Sequence, residues 1–353
     1  MGNQFSLCCF LGRIQLICTI NGLKAVVFWG GDVNIVDALV LKKLMSVGDE
    51  TVLSILKFSA YSGVSTLEEL VHHSSNLKIS NVKSRAALES FFNAANFQAL
   101  RDEVQAEIDS FKNKGVEIVL FGSKTYPISL YNLPKPPPFL YCKGNLKLLE
   151  NRLSIAVVGT RENTPKGETI TIKTIQKFAT YGFTIVSGLA LGIDTIAHRA
   201  ALDAKTSTIS VLVDVESISP TSNRELAQEI LDTDGLLVAE NAPGTKAIPA
   251  FFAKRDRIQA GLSTAVFAIE TSIDGGTMHA VKSAISMMRP VFVPDAHKAK
   301  YPDLTIKAIS GTQHLVNEGK AIPYTSGSYD DIRLQLVDIA SSFGSLKSNG
   351  GLL

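Results

Sequence analysis

The chain has few cysteines, and its positive and negative charges nearly balance. Only four of its 353 residues are cysteines, and none of them forms a Cys-x-x-Cys pair or a metal-type Cys/His spacing. We therefore expect reduced thiols, a cytoplasmic location and no bound metal. The formal net charge is +2, which excludes a nucleic-acid footprint spread over the whole surface. Any anion site must be a local patch.

The chain also lacks an apolar run long enough for a clean membrane span. Residues 1–33 are mostly apolar, but Arg13, Asn21 and Lys24 interrupt them, and a span needs roughly 20 apolar residues. The segment lacks the positively charged N-terminal region and the small-residue cleavage site of a secretory signal, which argues against one. MGNQFS fits the N-myristoylation pattern, which leaves acylation or a chance match open. We predict no membrane partner and give 1–33 no certain role.

Two common nucleotide-binding motifs are absent. The chain has no G-x-x-x-x-G-K-[ST] segment, and VVGTRENTPKG lacks the G-x-G-x-x-G spacing. In addition, Ser187-Gly188 stands where a dinucleotide fold needs an acidic residue for the ribose. We therefore expect neither NAD chemistry nor P-loop ATP hydrolysis, and we predict no cofactor.

The chain does contain a helical region followed by alternating strands and helices. Residues 34–113 have apolar residues at helical spacing, which predicts a small helical module that contacts either DNA backbone or another protein. Over 114–296 the pattern predicts an α/β fold, a Rossmann-like doubly wound and mostly parallel sheet with helices on both faces. Residues 297–353 are predicted to form a C-terminal extension without a clear winged helix. The predicted strands are 117–121, 154–158, 183–187, 208–213, 236–240, 265–270 and 290–294, and the helices between them are 164–181, 193–204, 223–233 and 275–288.

The residues that follow the predicted strands are the candidates for a binding site, because open parallel sheets bind ligands at the carboxyl ends of their strands. Gly159 and Arg161 precede a helix whose N-terminal amides attract anions. Ser187-Gly188 forms a second candidate anion cradle after the next strand. Gly275-Gly276-Thr277 forms a third phosphate-compatible turn.

Asp194 and His198 lie one helical turn apart after the strand at 183–187. As an acid–base pair they would be catalytic. As structural residues, Asp194 would cap the helix and hold the loop, and His198 would make a local hydrogen bond. No other residue completes a catalytic set, which favours the structural interpretation.

Five segments, in this order, resemble the DprA/Smf family of bacterial DNA-processing proteins. They are Tyr126-Pro127 with LPKPPPFLYCKGN, VVGTR (157–161), SGLALGIDTIAH (187–198), FFAKRDRIQAGLS (251–263) and DGGTMHA (274–280). The resemblance covers about residues 115–296, and the helical module lies where many relatives have a small SAM-like domain. It implies a non-enzymatic homodimer that binds single-stranded DNA, protects it and helps to load a RecA-type recombinase in natural transformation or recombination.

The resemblance also implies roles for the basic segment 251–263. Lys254, Arg255 and Arg257 would neutralise phosphates together with Arg161, and Phe252 would stack on a base. The alternative is that the phenylalanines belong to the core and that the arginines pair with local acids or hold a loop through its carbonyls.

The chain departs from the family pattern at several of these positions. Asp256 replaces the usual asparagine, Ala253 a proline and Gln259 an apolar residue, while Asp274-Gly275-Gly276 replaces Ser-Gly-Ser. These departures would weaken DNA binding or shift the site toward another ligand.

Two other functions remain open on the same broad fold. A nucleotide phosphoribohydrolase needs a glutamate where Ala280 stands, unless Glu240 or Glu270 substitutes for it. A nucleotide-sensing module would bind its ligand at the glycine turns that follow the strands.

Overall fold

The computed structural model of the protein describes residues 4–10, 13–20, 23–27, 33–73, 76, 77, 79–94, 97–295 and 306–343. The start of the MGNQFS pattern and the sequence after residue 343 lie outside the described residues. The chain divides into two compact units. The first contains the residues up to Tyr126 together with Lys135–Leu140, and the second contains Pro127–Pro134 and Tyr141–Phe343.

The first unit combines a small antiparallel sheet with a group of helices. Its elements are β1 (Gln4–Phe10), β2 (Arg13–Ile20), β3 (Leu23–Val27), α1 (Ile35–Lys43), α2 (Asp49–Ser62), α3 (Leu67–His72), α4 (Val82–Ala94), α5 (Gln98–Asn113) and β4 (Val116–Leu120). Strand β2 pairs antiparallel with both β1 and β3. The predicted helical region is therefore confirmed, whereas its likeness to a SAM domain remains a prediction.

An ion-pair network joins three helices of this unit. The Arg101 guanidinium on α5 donates hydrogen bonds from Nε to Asp37 Oδ1 at 2.7 Å and from Nη1 to Glu68 Oε1 at 2.7 Å. Asp37 lies on α1 and is buried, and its other oxygen accepts from the amide of Leu67 at the start of α3. The network fixes the ends of α1, α3 and α5 relative to one another, because a buried carboxylate must be fully paired.

The second unit alternates strands and helices along the chain. Its elements are β5 (Phe139–Gly144), β6 (Ser154–Val158), α6 (Pro165–Thr180), β7 (Thr184–Ser187), α7 (Ile193–Asp203), β8 (Thr208–Leu212), α8 (Arg224–Asp232), β9 (Leu236–Ala239), α9 (Pro249–Gly261), β10 (Ala265–Ala268), α10 (Met278–Ser286), β11 (Val291–Pro294), α11 (Ile306–Asn317), β12 (Ile322–Tyr324) and α12 (Tyr329–Ser342). The first two residues of β5 are counted with the first unit.

The strands of the second unit lie in the order β12-β11-β10-β6-β7-β8-β9-β5. Neighbouring strands pair in parallel, except that β5 pairs antiparallel with β9. From β6 the chain builds the sheet outward to β9, then returns to add β10 to the other side of β6. This order confirms the predicted doubly wound, mostly parallel sheet, and it places a topological switch point between β6 and β10.

Buried side chains cover both faces of this sheet. Phe267 of β10 belongs to a cluster with Phe178 of α6 and Phe183 before β7, and the ring centroids lie 5.1 and 5.3 Å from that of Phe178. The neighbouring strand residues Val266 and Ala268 point to the opposite face and are also fully buried. Helices α9 and α10 pack against each other and contact β8 and β10. Helices therefore lie on both faces, as predicted.

The segment predicted as a C-terminal extension contributes to this unit. Strand β12 adds to the sheet beside β11, and Leu336 of α12 belongs to the main core cluster. The hydroxyl groups of Tyr324 and Tyr329 lie 2.9 and 3.0 Å from Thr174 Oγ1 of α6. The domain boundaries remain a prediction. No helix among the described residues is both long and apolar enough to cross a membrane.

Candidate functional site

A cavity of about 620 Å³ opens at the switch point between β6 and β10. Its walls come from residues 158–162 after β6, from 190, 191 and 194 around the start of α7, from 219 and 220, from one face of α9, and from 271, 272, 275–277, 279 and 280 after β10. Open parallel sheets bind ligands at such a position, because the loops after the strands diverge there. The cavity is therefore the candidate site.

The structure brings only part of the predicted site set to this cavity. The predicted residues among its lining are Gly159, Arg161, Asp194, Phe252, Arg255, Gly275, Gly276 and Thr277. Those outside the lining are Ser187, Gly188, His198, Lys254 and Arg257. Each residue of the second group contacts another group of the protein itself.

The basic segment forms a helix, α9, which the sequence pattern did not predict. Phe252, Arg255, Asp256 and Gln259 occupy one face at helical spacing, and all four line the cavity. Pro249 starts the helix at a position where a missing amide hydrogen costs nothing. The cavity face is consequently mixed, with one aromatic ring, one cation, one carboxylate and one amide.

Arg255 is buried, with 5% of its surface exposed, and it holds a loop of the protein. Its Nη2 donates a hydrogen bond to the carbonyl oxygen of Gly188 at 2.8 Å. Its Nη1 lies 3.3 Å from Asp256 Oδ1 and 3.9 Å from Asp194 Oδ2. The prediction of a phosphate-binding arginine therefore needs correction, because this guanidinium already has two carboxylates beside it and a carbonyl in contact.

Lys254 and Arg257 point to a different acid. Arg257 Nη2 donates to Glu240 Oε2, and Lys254 Nζ lies 3.3 Å from the same oxygen. The Glu240 side chain is only 2% exposed, and a buried carboxylate is costly unless cations pair with it. The geometry does not support the predicted contact of Lys254 and Arg257 with phosphate. It agrees with the alternative, in which these cations pair with a local acid.

The predicted anion cradle at Ser187-Gly188 is closed by internal hydrogen bonds. Ser187 Oγ donates to the carbonyl of Val157 at 2.7 Å. The amide of Gly188 donates to Asp194 Oδ2 at 3.2 Å, and its carbonyl accepts from Arg255. Because these polar groups already have partners, the segment has no free donors for an external anion.

Asp194 and His198 have separate partners rather than each other. Helix α7 has Gly192 as its N-cap, so Asp194 binds the preceding loop from within the first turn and is not the predicted cap. Burial raises the pKa of Asp194, against the opposing effect of Arg255. His198 Nδ1 lies 2.8 Å from Thr208 Oγ1, and burial, reinforced by the charge of Arg255, lowers its pKa to about 3. His198 is therefore a neutral side chain of the core.

The N-terminus of α6 holds a carboxylate of the protein itself. Glu270 accepts from the Thr164 amide at 2.9 Å and from its hydroxyl at 2.5 Å. A Cβ at Gly167 would lie 2.4 Å from Glu270 Cδ, so the contact requires glycine. Burial raises the pKa of Glu270. The expectation that this helix offers free amides to an external anion is corrected, since Glu270 fills the site.

Arg161 is the cation of the predicted set that remains available. It lies in the loop between β6 and α6, is exposed, and makes no hydrogen bond or ion pair with any residue in the described part of the chain. Gly159 beside it is required by packing, because a Cβ there would lie 2.5 Å from Ile193 Cγ1. Phe252 is half-buried, so its ring is partly open to the cavity.

Two aspartates, and no buried glutamate, face the cavity. Ala280 lines it at the position where a nucleotide hydrolase would need its glutamate, while Glu240 and Glu270 are not among the lining residues. Asp256 lies beside Asp194, and burial raises the pKa of Asp256 to about 6 against the opposing charge of Arg255. Sequence reasoning noted Asp256 as a departure but missed its place in the cavity, because the helical register of α9 was not predicted.

Comparison with known proteins gives consistent matches. Residues 117–335 match the family model described as DNA recombination-mediator protein A. The chain is 34% identical over 220 residues to Protein Smf from Synechocystis, an alignment that covers 61% of this chain and 53% of that protein. It thus spans about half the length of this curated relative.

Two solved structures are similar over most of their own length. The X-ray structure of DNA processing protein A (DprA) from Streptococcus pneumoniae matches with a TM-score of 0.70 at 27% identity, covering 85% of this chain and 98% of that chain. DNA processing protein A from Helicobacter pylori matches with a TM-score of 0.54 at 29% identity, covering 63% of this chain and 96% of that chain. Because the family model covers more than half of the sequence, the chain belongs to the DNA recombination-mediator protein A family, whose members include the proteins named DprA and Smf.

Proposed function

We propose that this protein binds single-stranded DNA in the cavity at the switch point of its sheet. One observation carries the proposal: an exposed and unpaired arginine, Arg161, lines the same open cavity as the partly exposed ring of Phe252. A cation for the phosphate and a ring for the base are the two elements of sequence-tolerant single-strand binding. The Helicobacter pylori relative, which is described as having a single-stranded DNA binding mode, supports the same assignment.

The lining residues suggest how a strand would lie in the cavity. Arg161 would neutralise one phosphate, which gives salt-dependent affinity through counterion release. Phe252 would stack on one base, with little regard to its identity. The turn Gly275-Gly276-Thr277 would let the sugar–phosphate backbone approach closely, because a Cβ at Gly276 would meet nothing within 4 Å. Lys254 and Arg257 are not part of the proposed contact, since Glu240 holds them.

We infer that the protein acts without catalysing a reaction on the DNA. It would protect the strand and help to load a RecA-type recombinase, as a homodimer, in natural transformation or a related recombination process. The family description, a recombination mediator, supports this part of the proposal. Loading is tested by following recombinase filament growth on a strand coated with single-strand-binding protein, with and without this protein. Equal growth rates with and without the protein would exclude the mediator role. Sedimentation equilibrium, which gives the molar mass in solution, tests whether the protein is a dimer.

The binding proposal is tested by fluorescence anisotropy of a labelled oligothymidine at several salt concentrations. We expect Arg161→Ala to weaken binding and to flatten the plot of log affinity against log salt by about 0.7, the value for one phosphate contact on a single strand. Arg199→Ala is the matched control, because Arg199 is an exposed arginine outside the cavity lining that pairs with Glu229. Unchanged affinity and slope for Arg161→Ala would reject this site.

A further inference from the structure

The cavity wall formed by α9 carries more polar groups than phosphate binding and stacking require. Gln259, which is 1% exposed, donates from Nε2 to Asp256 Oδ1 at 2.9 Å. Its own Oε1 has no hydrogen-bond partner, and neither do Nε and Nη1 of Arg255. Asp256 Oδ2 likewise has no partner in the described part of the chain. All three residues line the cavity, and the wall is therefore a polar surface built around the carboxylate of Asp256.

The charges of this wall do not suit a second phosphate. The guanidinium of Arg255 lies within 4 Å of two carboxylates, at 3.3 Å from Asp256 and 3.9 Å from Asp194. A phosphate placed there would meet two negative groups around one positive group. A neutral molecule with its own hydrogen-bond donors would meet acceptors instead. The wall therefore favours the edge of a base over the backbone of the strand.

The paired acceptors of Asp256 select among the bases. The two oxygens of Asp256, on the wall of the cavity, offer two adjacent acceptors. Guanine presents two adjacent donors on its Watson–Crick edge, the N1 and N2 hydrogens. Adenine, cytosine and thymine do not present two adjacent donors.

From this arrangement we propose that Asp256 reads a guanine in the single strand, with Gln259 and Arg255 holding its carboxylate in place. The proposal rests on the function proposed above and names the base that the same cavity prefers. Asp256 would accept from N1 and N2 of the base, while Gln259 fixes the orientation of the carboxylate through its hydrogen bond to Oδ1. Arg161 and Phe252 would then give affinity, and Asp256 would give selectivity.

The first test compares free nucleotides by isothermal titration calorimetry. Deoxyguanosine, deoxyinosine and deoxyadenosine monophosphates are titrated into the full chain at pH 7.5. Inosine lacks only the 2-amino group, so the loss of one hydrogen bond to a carboxylate predicts binding about tenfold weaker than that of guanosine. Asp256→Asn should abolish the difference between guanosine and inosine, since an amide offers one acceptor instead of two. The variant keeps the shape of the side chain and an oxygen that can accept from Gln259.

Asp232→Asn is the matched control for this substitution. Asp232 is exposed on α8, and it accepts from Gln228 Nε2 at 2.7 Å in a similar aspartate–glutamine pair outside the cavity. We expect Asp232→Asn to keep the full preference for guanosine over inosine. Loss of the preference in this control would mean that a general charge effect, and not the cavity contact, causes it, and would overturn the proposal.

The second test measures binding of oligothymidine with one central guanine, inosine or adenine by anisotropy. Arg161-dependent binding of all three with equal affinity would overturn the base preference and leave single-strand binding intact. If no oligonucleotide binds but free guanosine monophosphate is preferred in an Asp256-dependent way, the proposed strand binding is rejected and base recognition is supported. If neither nucleotides nor oligonucleotides bind, both strand binding and base recognition are rejected. We expect a preference for guanine in both experiments, and we expect Asp256→Asn to remove it.

Discussion

Arg255 donates a hydrogen bond to the carbonyl oxygen of Gly188 at 2.8 Å, across the space that a side chain at residue 188 would fill. A Cβ on Gly188 would lie 1.4 Å from Arg255 Nη1. The glycine after β7 is thus required by an arginine 67 residues later. This contact ties the loop after β7 to α9, and it positions the helix whose other side chains face the cavity.

The first prediction concerns this contact. Gly188→Ala forces the Arg255 guanidinium out of a tightly packed position, which should lower the free energy of unfolding by about 1–3 kcal/mol. Urea denaturation followed by circular dichroism measures the change. Gly276→Ala is the control, since a Cβ there would meet no atom within 4 Å. Equal stabilities for the two variants would contradict the tight packing of Arg255 against Gly188.

The second prediction concerns the ion pair of Arg257. Removing this arginine leaves the buried carboxylate of Glu240 with only part of its compensation, which should cost about 3 kcal/mol of stability. In a Glu240→Gln background the same Arg257→Ala substitution should cost much less, because no buried charge remains. The double-mutant cycle measures the coupling. A coupling of zero would show that the ion pair contributes nothing to stability. A flattened salt dependence of DNA binding in Arg257→Ala would show instead that Arg257 contacts a phosphate.

The third prediction is a pH dependence of stability from Asp256. Its pKa is raised to about 6 in the folded protein, chiefly by burial. A carboxyl whose pKa is higher in the folded state stabilises the fold when protonated, and this contribution is lost as pH rises from about 4 through 6. Arg255 and Arg161 oppose the shift, and Asp194 reinforces it.

Asp256→Asn removes this ionisation. The variant should therefore gain stability relative to the unmodified protein between pH 4 and pH 7, by about 3 kcal/mol, because folding raises the pKa of Asp256 from 3.8 to about 6. Chemical denaturation at pH 4.5, 5.5 and 7 measures the difference. The exposed control Asp232→Asn should give no such trend. A difference that does not depend on pH would show that the pKa of Asp256 is not raised in the folded protein.

The sheet could be predicted from the sequence because its strands are short, apolar runs between amphipathic helices. The strand after Asn151, for example, was predicted over the same five residues, 154–158, that form β6. Helix α9 could not be predicted in this way, because its buried face carries Arg255 and Gln259 rather than a regular apolar stripe. Hydrophobic periodicity reports burial only where the buried residues are apolar.

Pairing between distant residues explains the other missed features. Sequence spacing identified Lys254 and Arg257 as cations but did not reveal that Glu240, at the end of the preceding strand, approaches both. In the same way, nothing local indicated that Glu270 fills the N-terminus of α6, 106 residues earlier in the chain. Such contacts depend on which strand ends meet, and therefore on the sheet order.

The fourth prediction separates stacking from charge in the cavity. Phe252→Ala should weaken binding of oligothymidine by about 1–3 kcal/mol, the contribution of one stacked base. The slope of log affinity against log salt should stay unchanged, because a ring releases no counterions. Phe251→Ala is the matched control, since Phe251 is a neighbouring, equally half-buried ring outside the cavity lining. If both variants lose the same affinity, the helix rather than the ring of Phe252 is responsible; if the slope changes in Phe252→Ala alone, the ring acts by positioning Arg161.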